Sequence, residues 1–411
     1  MSDALHFYPN IWPEHSSYAK RWISRFPEWD SDEYSTIHLL SCVQNWLSEA
    51  RGLEDEAQLM AALRRVRQRT MIEIMKRDLL GKAELFEVTE ALSFLADSAV
   101  QIVLEFAYEL QRSRYGDPAD GDCMMVVGMG KLGGLELNAS SDVDLIFLYG
   151  HDGETEGGPN GKTQSHAEFF TQIGRKLIKI LSEVTEDGFV FRVDMRLRPN
   201  GDSGPLVASL DMLEEYFVVQ GREWERYAWI KSRVINWSVD PNKDEAFERN
   251  LKALDAIVKP FVYRKYLDFG AIRALRNLHV QIRNEVNKRE QQHPGTVHVK
   301  LGRGGIREIE FTAQAFQLIR GGREPQLQLR RTLDVLQICT EQGLLTPTEL
   351  ESMTAAYYFL RNLEHRLQYI DDAQTHRLPA DPTKVLKVAR SMGFEDPSIF
   401  MKVLRVHMQF V

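Results

Sequence analysis

Cysteine is nearly absent. Cys42, Cys123 and Cys339 are the three in 411 residues, far apart and in neither CxxC nor Cys/His ligand spacing. That excludes a disulfide framework and a cysteine-ligated zinc site, and it points to a reducing, cytoplasmic compartment. Long apolar runs are missing as well, and the start MSDALHFYPNIWPEHS has no basic segment followed by an apolar one. Export and membrane insertion are therefore not expected. Positive charge is not in surplus: 51 Lys and Arg stand against 59 Asp and Glu, a formal net charge of -8. Nucleic-acid binding through bulk charge is excluded, because neutralising phosphates needs excess cations. No repeat of solenoid period is visible.

What is present is ample apolar surface. With 43% hydrophobic residues and 20 Phe, 13 Tyr and 7 Trp, the chain can bury a core, so wholesale disorder is ruled out. Its length exceeds one ordinary core and predicts two or three domains. From Asp30 to Tyr115 the apolar residues keep helical spacing, as in Leu63, Val66, Met71 and Met75, which predicts an α-helical region over 1–118. Arg64, Arg65, Arg67 and Arg69 could bind an anion there, but basic residues scattered on a helix usually form its solvated face.

The turn-rich YGDPADGD (Tyr115 to Asp122) marks a boundary, and the period then changes. MMVVG (Met124 to Gly128), DVDLIFLYG (Asp142 to Gly150) and FVFRVDMRL (Phe189 to Leu197) read as strands, with a helix over about Glu168 to Val184. This predicts an α/β unit over 119–236. Two Gly/Pro/Asn-rich stretches, Gly150 to Thr163 and Arg198 to Pro205, read as mobile or functional loops. From Ala208 helical spacing returns, DMLEEYF opening on a capping box at Asp211 and Glu214. An α-helical region over 237–411 is expected, broken at Gln291 to Gly305. The end, MKVLRVHMQFV, falls inside a helical pattern without a capping glycine, which reads as a cut through a longer polypeptide.

The segment VVGMGKLGGLELNASSDVDLIFLYG carries the chemistry. Gly128, Gly130 and Gly133 satisfy the letters of a dinucleotide fingerprint, but a Rossmann unit needs a crossover helix before its second strand, over roughly 30 residues. Only a few residues separate Gly134 from Asp142. The P-loop pattern fails too, since Lys131 follows no GxxxxG and precedes no Ser or Thr. What remains is a glycine turn, Ser140, Ser141, and Asp142 and Asp144 on one strand. Residues two apart in a strand point to the same side, about 6.5 Å apart at Cα. Two carboxylates so placed repel by several kcal/mol at an effective dielectric near 20 unless one takes a proton or a cation joins them. Two Mg2+ ions held by such carboxylates serve in-line displacement at phosphorus.

A bare DxD more often caps a turn and faces water. Here the apolar LIFLY that follows puts the pair at the entry of a buried strand, and the glycines and serines before it offer backbone N–H groups to phosphate. A third acid is required, and Asp194 in FRVDMRLRP is the candidate, with a strand salt bridge as the competing reading. Arg196, Arg198 and Lys131 are candidate counter-charges for phosphate, with surface ion pairing as the alternative. LGRGGIREIEF (Leu301 to Phe311) places Arg307, Glu308 and Glu310 at the start of a helix, and their roles stay open between structure and site.

A glycine-rich turn, serine, DxD and a distant third Asp resemble the nucleotidyltransferase superfamily. The runs GMGKLGGLELNASSDVDLIFLY, RVDMRLRPNGDSGPLV, GREWERYAWIKSRV and VKLGRGGIREIEFTAQAFQLIRGGREP resemble more closely the bifunctional glutamine synthetase adenylyltransferase/adenylyl-removing enzymes, from Gly128 to Pro325 with fitting helical flanks. The resemblance implies an α+β fold: a nucleotidyltransferase-type mixed sheet with helices, flanked by mainly α-helical regions. Members carry two such domains, the first removing AMP from a tyrosine of glutamine synthetase and the second attaching it. SGPLV, WERYA and GGIREIEF look like the amino-terminal copy, which implies the adenylyl-removing half.

The implied reaction is attack of inorganic phosphate on adenylyl-tyrosine, giving ADP and free tyrosine. Asp142, Asp144 and Asp194 would hold two Mg2+, and Gly130, Lys131, Gly133, Ser140 or Ser141, Arg196 and Arg198 would contact phosphate or nucleotide. Implied partners are glutamine synthetase and a PII-type signalling protein, with no nucleic acid and no membrane. Adenylyl transfer from ATP onto a protein tyrosine, with Asp194 as base, is the rival chemistry. A non-catalytic module docking the synthetase or a PII-type regulator is the rival of another class. An RNA-end nucleotidyltransferase is disfavoured by the acidic charge and the lack of a basic-aromatic tract.

Overall fold

The computed structural model describes residues 12–265, 280, 284 and 296–411. The readings of 1–11, of the helical pattern over 266–295 (bar positions 280 and 284) and of the start of the break at Gln291 lie outside the described residues. The amino-terminal region holds α1 (Ser17–Arg25), α2 (Leu39–Leu47), α3 (Glu56–Leu79) and α4 (Leu85–Tyr115). Asp55 starts α3 by accepting from the Gln58 amide, and Gly116 ends α4 at φ 75°. α4 is long and apolar enough to cross a membrane, but most of it is buried in this fold. It packs against α2 and α6 as a core helix.

Next come β1 (Met124–Gly128), α5 (Gly130–Gly133), β2 (Val143–Tyr149), α6 (His166–Ser182), β3 (Val193–Asp194), β4 (Val207–Ser209), α7 (Leu210–Val219), α8 (Glu223–Trp229) and β5 (Arg233–Val234). The sheet runs β3-β2-β1-β5, with β4 on the same edge of β2 as β3 but at its other end. β1 is antiparallel to β2 and β5, while β3 and β4 are parallel to β2. Together with the helices this small mixed sheet makes an α+β fold.

Both faces of the sheet are covered, which is why MMVVG and LIFLY are continuously apolar. Met124, Val126, Val143, Leu145 and Phe147 point into a core shared with α3, α4 and α6. Met125, Val127, Ile146 and Leu148 face α7, α8 and α9 (Asp244–Val262). A third core joins α10 (Ile306–Arg320), α11 (Thr332–Glu341), α12 (Pro347–Tyr369), α13 (Pro382–Ser391) and α14 (Pro397–Phe410). α12 begins on a capping box of Thr346 and Glu349.

Three expectations are corrected. The third strand is two residues rather than nine, because the Asp194 carboxylate accepts from the Arg196 amide at 2.9 Å and turns the chain. α7 starts on Ser209, whose hydroxyl accepts from Met212 N, so the box at Asp211 and Glu214 is not formed. The arginine cluster of α3 is not a solvated face throughout. Arg64 is buried and donates to the carbonyls of Gly188 and Met60. Arg67 is buried and reaches Asp372, beyond α12, at 2.7 Å. Arg65 stays at the surface.

Candidate active site

Strand periodicity sets the acid wall. Asp144 lies two residues before Ile146, hence on the face that Ile146 and Leu148 present to α7–α9. Asp142 lies two before Asp144. Parallel pairing makes Asp194 the register partner of Asp144, so three carboxylates line one pocket of about 630 Å³. Their compensation is unequal. Arg192 Nε donates to Asp142 at 2.6 Å and its Nη2 to the Ser140 carbonyl at 2.7 Å. Arg196 holds Asp194 through Nε and Nη2, which keeps that carboxyl below its usual range. Asp144 has no such partner among the described residues. Burial first, then Asp194 and Asp142, push it up to about 6, against Lys300 and Arg196.

This donor set fits a hard divalent cation: three carboxylates converge, one of them unpaired and short of positive charge. Gly130 adjoins it at φ 55°, and a side chain there would place Cβ 3.6 Å from Asp144 Oδ2. Nearby, the Met129 amide donates to the Asp144 carbonyl at 2.9 Å.

Of the residues expected at the site, Asp142, Asp144, Asp194, Gly130, Lys131, Ser141 and Arg196 line this pocket. Three others do not. The Ser140 hydroxyl donates to Asp372 at 2.5 Å and its amide to Gln368, so Ser140 anchors the loop to α12 and Ser141 is the one that lines the pocket. Gly133 is a packing glycine, since a Cβ would come within 1.7 Å of the Lys231 carbonyl. Arg198 turns away, donating to the Met195 carbonyl and to Asp202.

The opposite wall comes from segments that sequence reasoning left open or passed over. Arg307 and Glu310 line the pocket, whereas Glu308 accepts from the Gly304 amide and closes its own turn. Lys231, His298, Lys300 and His376 were missed, as were Trp224 and Tyr227 one turn apart on α8. Lys231 and Lys300 sit inside the runs IKSRV and VKLGRGG, which carried the only available signal. Nothing around His376 distinguishes it from a loop residue.

Two of the cations are neutralised from behind. Lys131 Nζ lies 3.0 and 3.1 Å from Glu364, a fully buried carboxylate that His376 Nδ1 also approaches to 2.7 Å. Burial draws the Lys131 ammonium down to about 7, opposed by Glu364. Burial would raise Glu364 in turn, but Lys131, His376 and Arg361 outweigh it and hold the carboxyl well below its ordinary value. Lys231 is paired with buried Glu136 at 2.5 Å. The face of α12 that carries Arg361, Glu364, His365 and Gln368 thus grips the 131–140 segment residue by residue: Arg361 bonds the Glu136 carbonyl and Asn138, Glu364 bonds Lys131, and Gln368 bonds Ser140.

A second cluster, Asp122, His151 and His166, brings three potential metal ligands within 4.8 Å of one another. Its hydrogen bonding argues otherwise. His166 sets Nδ1 2.8 Å from the His151 carbonyl and Nε2 3.1 Å from that of Glu154, so both nitrogens act as donors and no lone pair is left for an ion. Asp122 accepts from the amides of Cys123, Gly150 and His151 and from Asn250. The cluster pins the Gly150–Thr163 loop, which is accordingly held rather than loose.

Residues 16–250 match the family profile described as glutamate-ammonia ligase adenylyltransferase, and residues 276–411 match that of GlnD PII-uridylyltransferase. Proteins named bifunctional glutamine synthetase adenylyltransferase/adenylyl-removing enzyme are similar over most of the chain. That of Aromatoleum aromaticum is 54% identical over 361 residues, covering 87% of this chain and 36% of the relative. That of Burkholderia pseudomallei is 50% identical over 392 residues, covering 94% and 42%. That of Ralstonia nicotianae is 53% identical over 367 residues, covering 85% and 38%. The chain therefore spans about two fifths of the length of these relatives.

Proposed function

The chain belongs to the glutamate–ammonia ligase adenylyltransferase family, and from that premise we propose that it removes AMP from adenylylated glutamine synthetase by phosphorolysis. Inorganic phosphate attacks the phosphorus of adenylyl-tyrosine, and ADP and the free tyrosine leave. One observation carries this reading: the three carboxylates of Asp142, Asp144 and Asp194 converge in one pocket, with Asp144 holding no ion pair among the described residues. The names of the relatives support glutamine synthetase as the protein substrate. The match of residues 276–411 to a PII-uridylyltransferase profile supports a PII-type protein as regulator, read by the carboxyl-terminal helices.

Asp142, Asp144 and Asp194 would hold magnesium. Bound there, magnesium supplies positive charge to the phosphoryl oxygens and to the departing phenol oxygen. Arg196 has to release Asp194 for this, and its side chain, 75% exposed, has the freedom to do so. Arg192 keeps Asp142 turned into the pocket while tying it to the Ser140 carbonyl. Trp224 and Tyr227 offer aromatic faces on which an adenine can stack. The leaving phenol needs little help from a protein acid, since tyrosine has a pKa near 10.

The test is the product. Adenylylated synthetase labelled in its AMP group, incubated with this chain, Mg2+ and phosphate, should release labelled ADP. Release of AMP would mean hydrolysis and would refute phosphorolysis. Labelling of unmodified synthetase from ATP would favour transfer in the other direction, which the same carboxylates could serve.

A further inference from the structure

Among the cations that line the pocket, most already have a counter-charge: Lys131 has Glu364, Lys231 has Glu136 and Arg196 has Asp194. Lys300 and Arg307 have no ion pair among the described residues. The backbone sets them side by side. Arg307 N donates to the Lys300 carbonyl at 3.0 Å and Ile306 N to that of Val299 at 3.0 Å, folding the glycine loop 302–305 onto the first turn of α10. Gly304 permits this at φ 72°, where a Cβ would meet the Met408 carbonyl at 1.7 Å. Because these first amides of α10 are spent on backbone carbonyls, the helix end itself is not the attraction for an anion. The two side chains are.

Their position relative to the acids is telling. Lys300 is close enough to draw Asp144 down, and Arg307 acts in the same way on Tyr227. A phosphate dianion approaching three carboxylates is repelled by them, and two uncompensated cations on the facing wall offset that repulsion. Arg307 can meet two phosphate oxygens at once and Lys300 adds a compact point charge.

We infer that Lys300 and Arg307 form the subsite for the attacking orthophosphate, the group that becomes the β-phosphate of ADP. The inference rests on the phosphorolytic reading above. In the step, an oxygen of HPO4 2- forms a bond to the adenylyl phosphorus while the bond from phosphorus to the tyrosyl oxygen breaks. The hydrogen of HPO4 2- ends on the phenol, so HPO4 2- and the adenylyl-tyrosine diester give ADP 3- and neutral tyrosine. After the step the β-phosphate still occupies the Lys300–Arg307 subsite, whereas AMP has no group to reach it.

The test uses Lys300→Met and Arg307→Gln, made singly in this chain, with Lys300→Arg and Arg307→Lys as conservative counterparts and circular dichroism as the folding control. ADP release is followed across a phosphate titration, and binding of orthophosphate, ADP and AMP is measured by calorimetry with Mg2+ and without the synthetase. Each neutralised variant should need roughly 10- to 100-fold more phosphate for half-saturation, as loss of a charged hydrogen bond implies. Half-saturation by adenylylated synthetase should not move, and the conservative variants should recover most of the loss. ADP affinity should fall with phosphate affinity while AMP affinity holds. Unchanged phosphate saturation, or equal losses for ADP and AMP, overturns the subsite. If the unaltered chain releases AMP, the phosphorolytic reading fails instead, and calorimetry with orthophosphate still decides whether these cations bind it. Should one neutralised variant not fold, the phosphate titration of the other neutralised variant decides: a shift supports the subsite and none overturns it.

Discussion

β2 carries a cluster of charged side chains at each end, and the two are built on opposite balances. Past its carboxyl end, Asp122 accepts from three amides and Asn250, and His166 donates from both ring nitrogens. At its amino end, Asp142, Asp144 and Asp194 face one another, and Asp144 has no ion pair among the described residues. The first cluster is complete as it stands and holds a loop. The second leaves a carboxylate without an ion pair among the described residues, the balance an added cation would complete. Residue type does not separate them, since both gather potential metal ligands. The state of their hydrogen bonds does.

Asp142→Asn and Asp144→Asn, and equally chelation of magnesium, should lower ADP release at least about 100-fold. The same Asp144→Asn change should stabilise the metal-free protein. A carboxyl whose folded pKa is raised contributes its stability in full below the unfolded value near 4 and loses it as pH rises through about 6. The Asn variant escapes that loss, worth about 2–3 kcal/mol for a shift of roughly two units. Denaturant unfolding at pH 7.5 checks it, and a destabilised Asn variant would erase the contrast between the two clusters.

At the complete cluster the effect has the opposite sign. Asp122→Asn should cost about 3 kcal/mol, because it leaves a buried imidazolium without its carboxylate. The same denaturant curves measure this, and no loss would mean that the cluster is not a lock.

pH sharpens the comparison. Cation affinity at the acid wall should rise by one proton's worth as pH climbs through about 6, when Asp144 ionises. Burial opposes the charge on His166, but Asp122 and the carbonyls of His151 and Glu154 raise its pKa. Its contribution to stability is therefore full below the unfolded value near 6.5 and lost as pH rises through the raised value. Limited proteolysis of the 150–163 loop should accelerate over that rise, and a rate independent of pH would contradict the assignment of both nitrogens as donors. The smallest effect is expected for Gly130→Ala, about 1 kcal/mol for a side chain at φ 55°.

Much of the fold was legible because local rules decide it. β1, β2 and α6 lie within a residue or two of their expected places, since apolar periodicity and flanking turn residues suffice for elements whose faces are wholly buried. The DxD pair could be aimed from strand periodicity alone. Arg64 and Arg67 could not be placed, because most of α3 is buried despite its many polar residues, and the Gly188 carbonyl and Asp372 carboxylate that receive them lie more than 100 residues away. Ser140 and Ser141 are adjacent and chemically identical, and the choice between them was made by Gln368 and Asp372.

The sequence by itself determined the acid wall: a two-residue repeat on one strand puts Asp142 and Asp144 on one side, and their mutual repulsion demands a third party. Only the tertiary structure decided what faces that wall. Whether a lysine is spent or available depends on whether a buried glutamate stands behind it, as Glu364 does for Lys131 and as no carboxylate among the described residues does for Lys300. Charge balance over a few ångströms is a property of the packed chain, because it is set by groups that adjacency in sequence does not bring together.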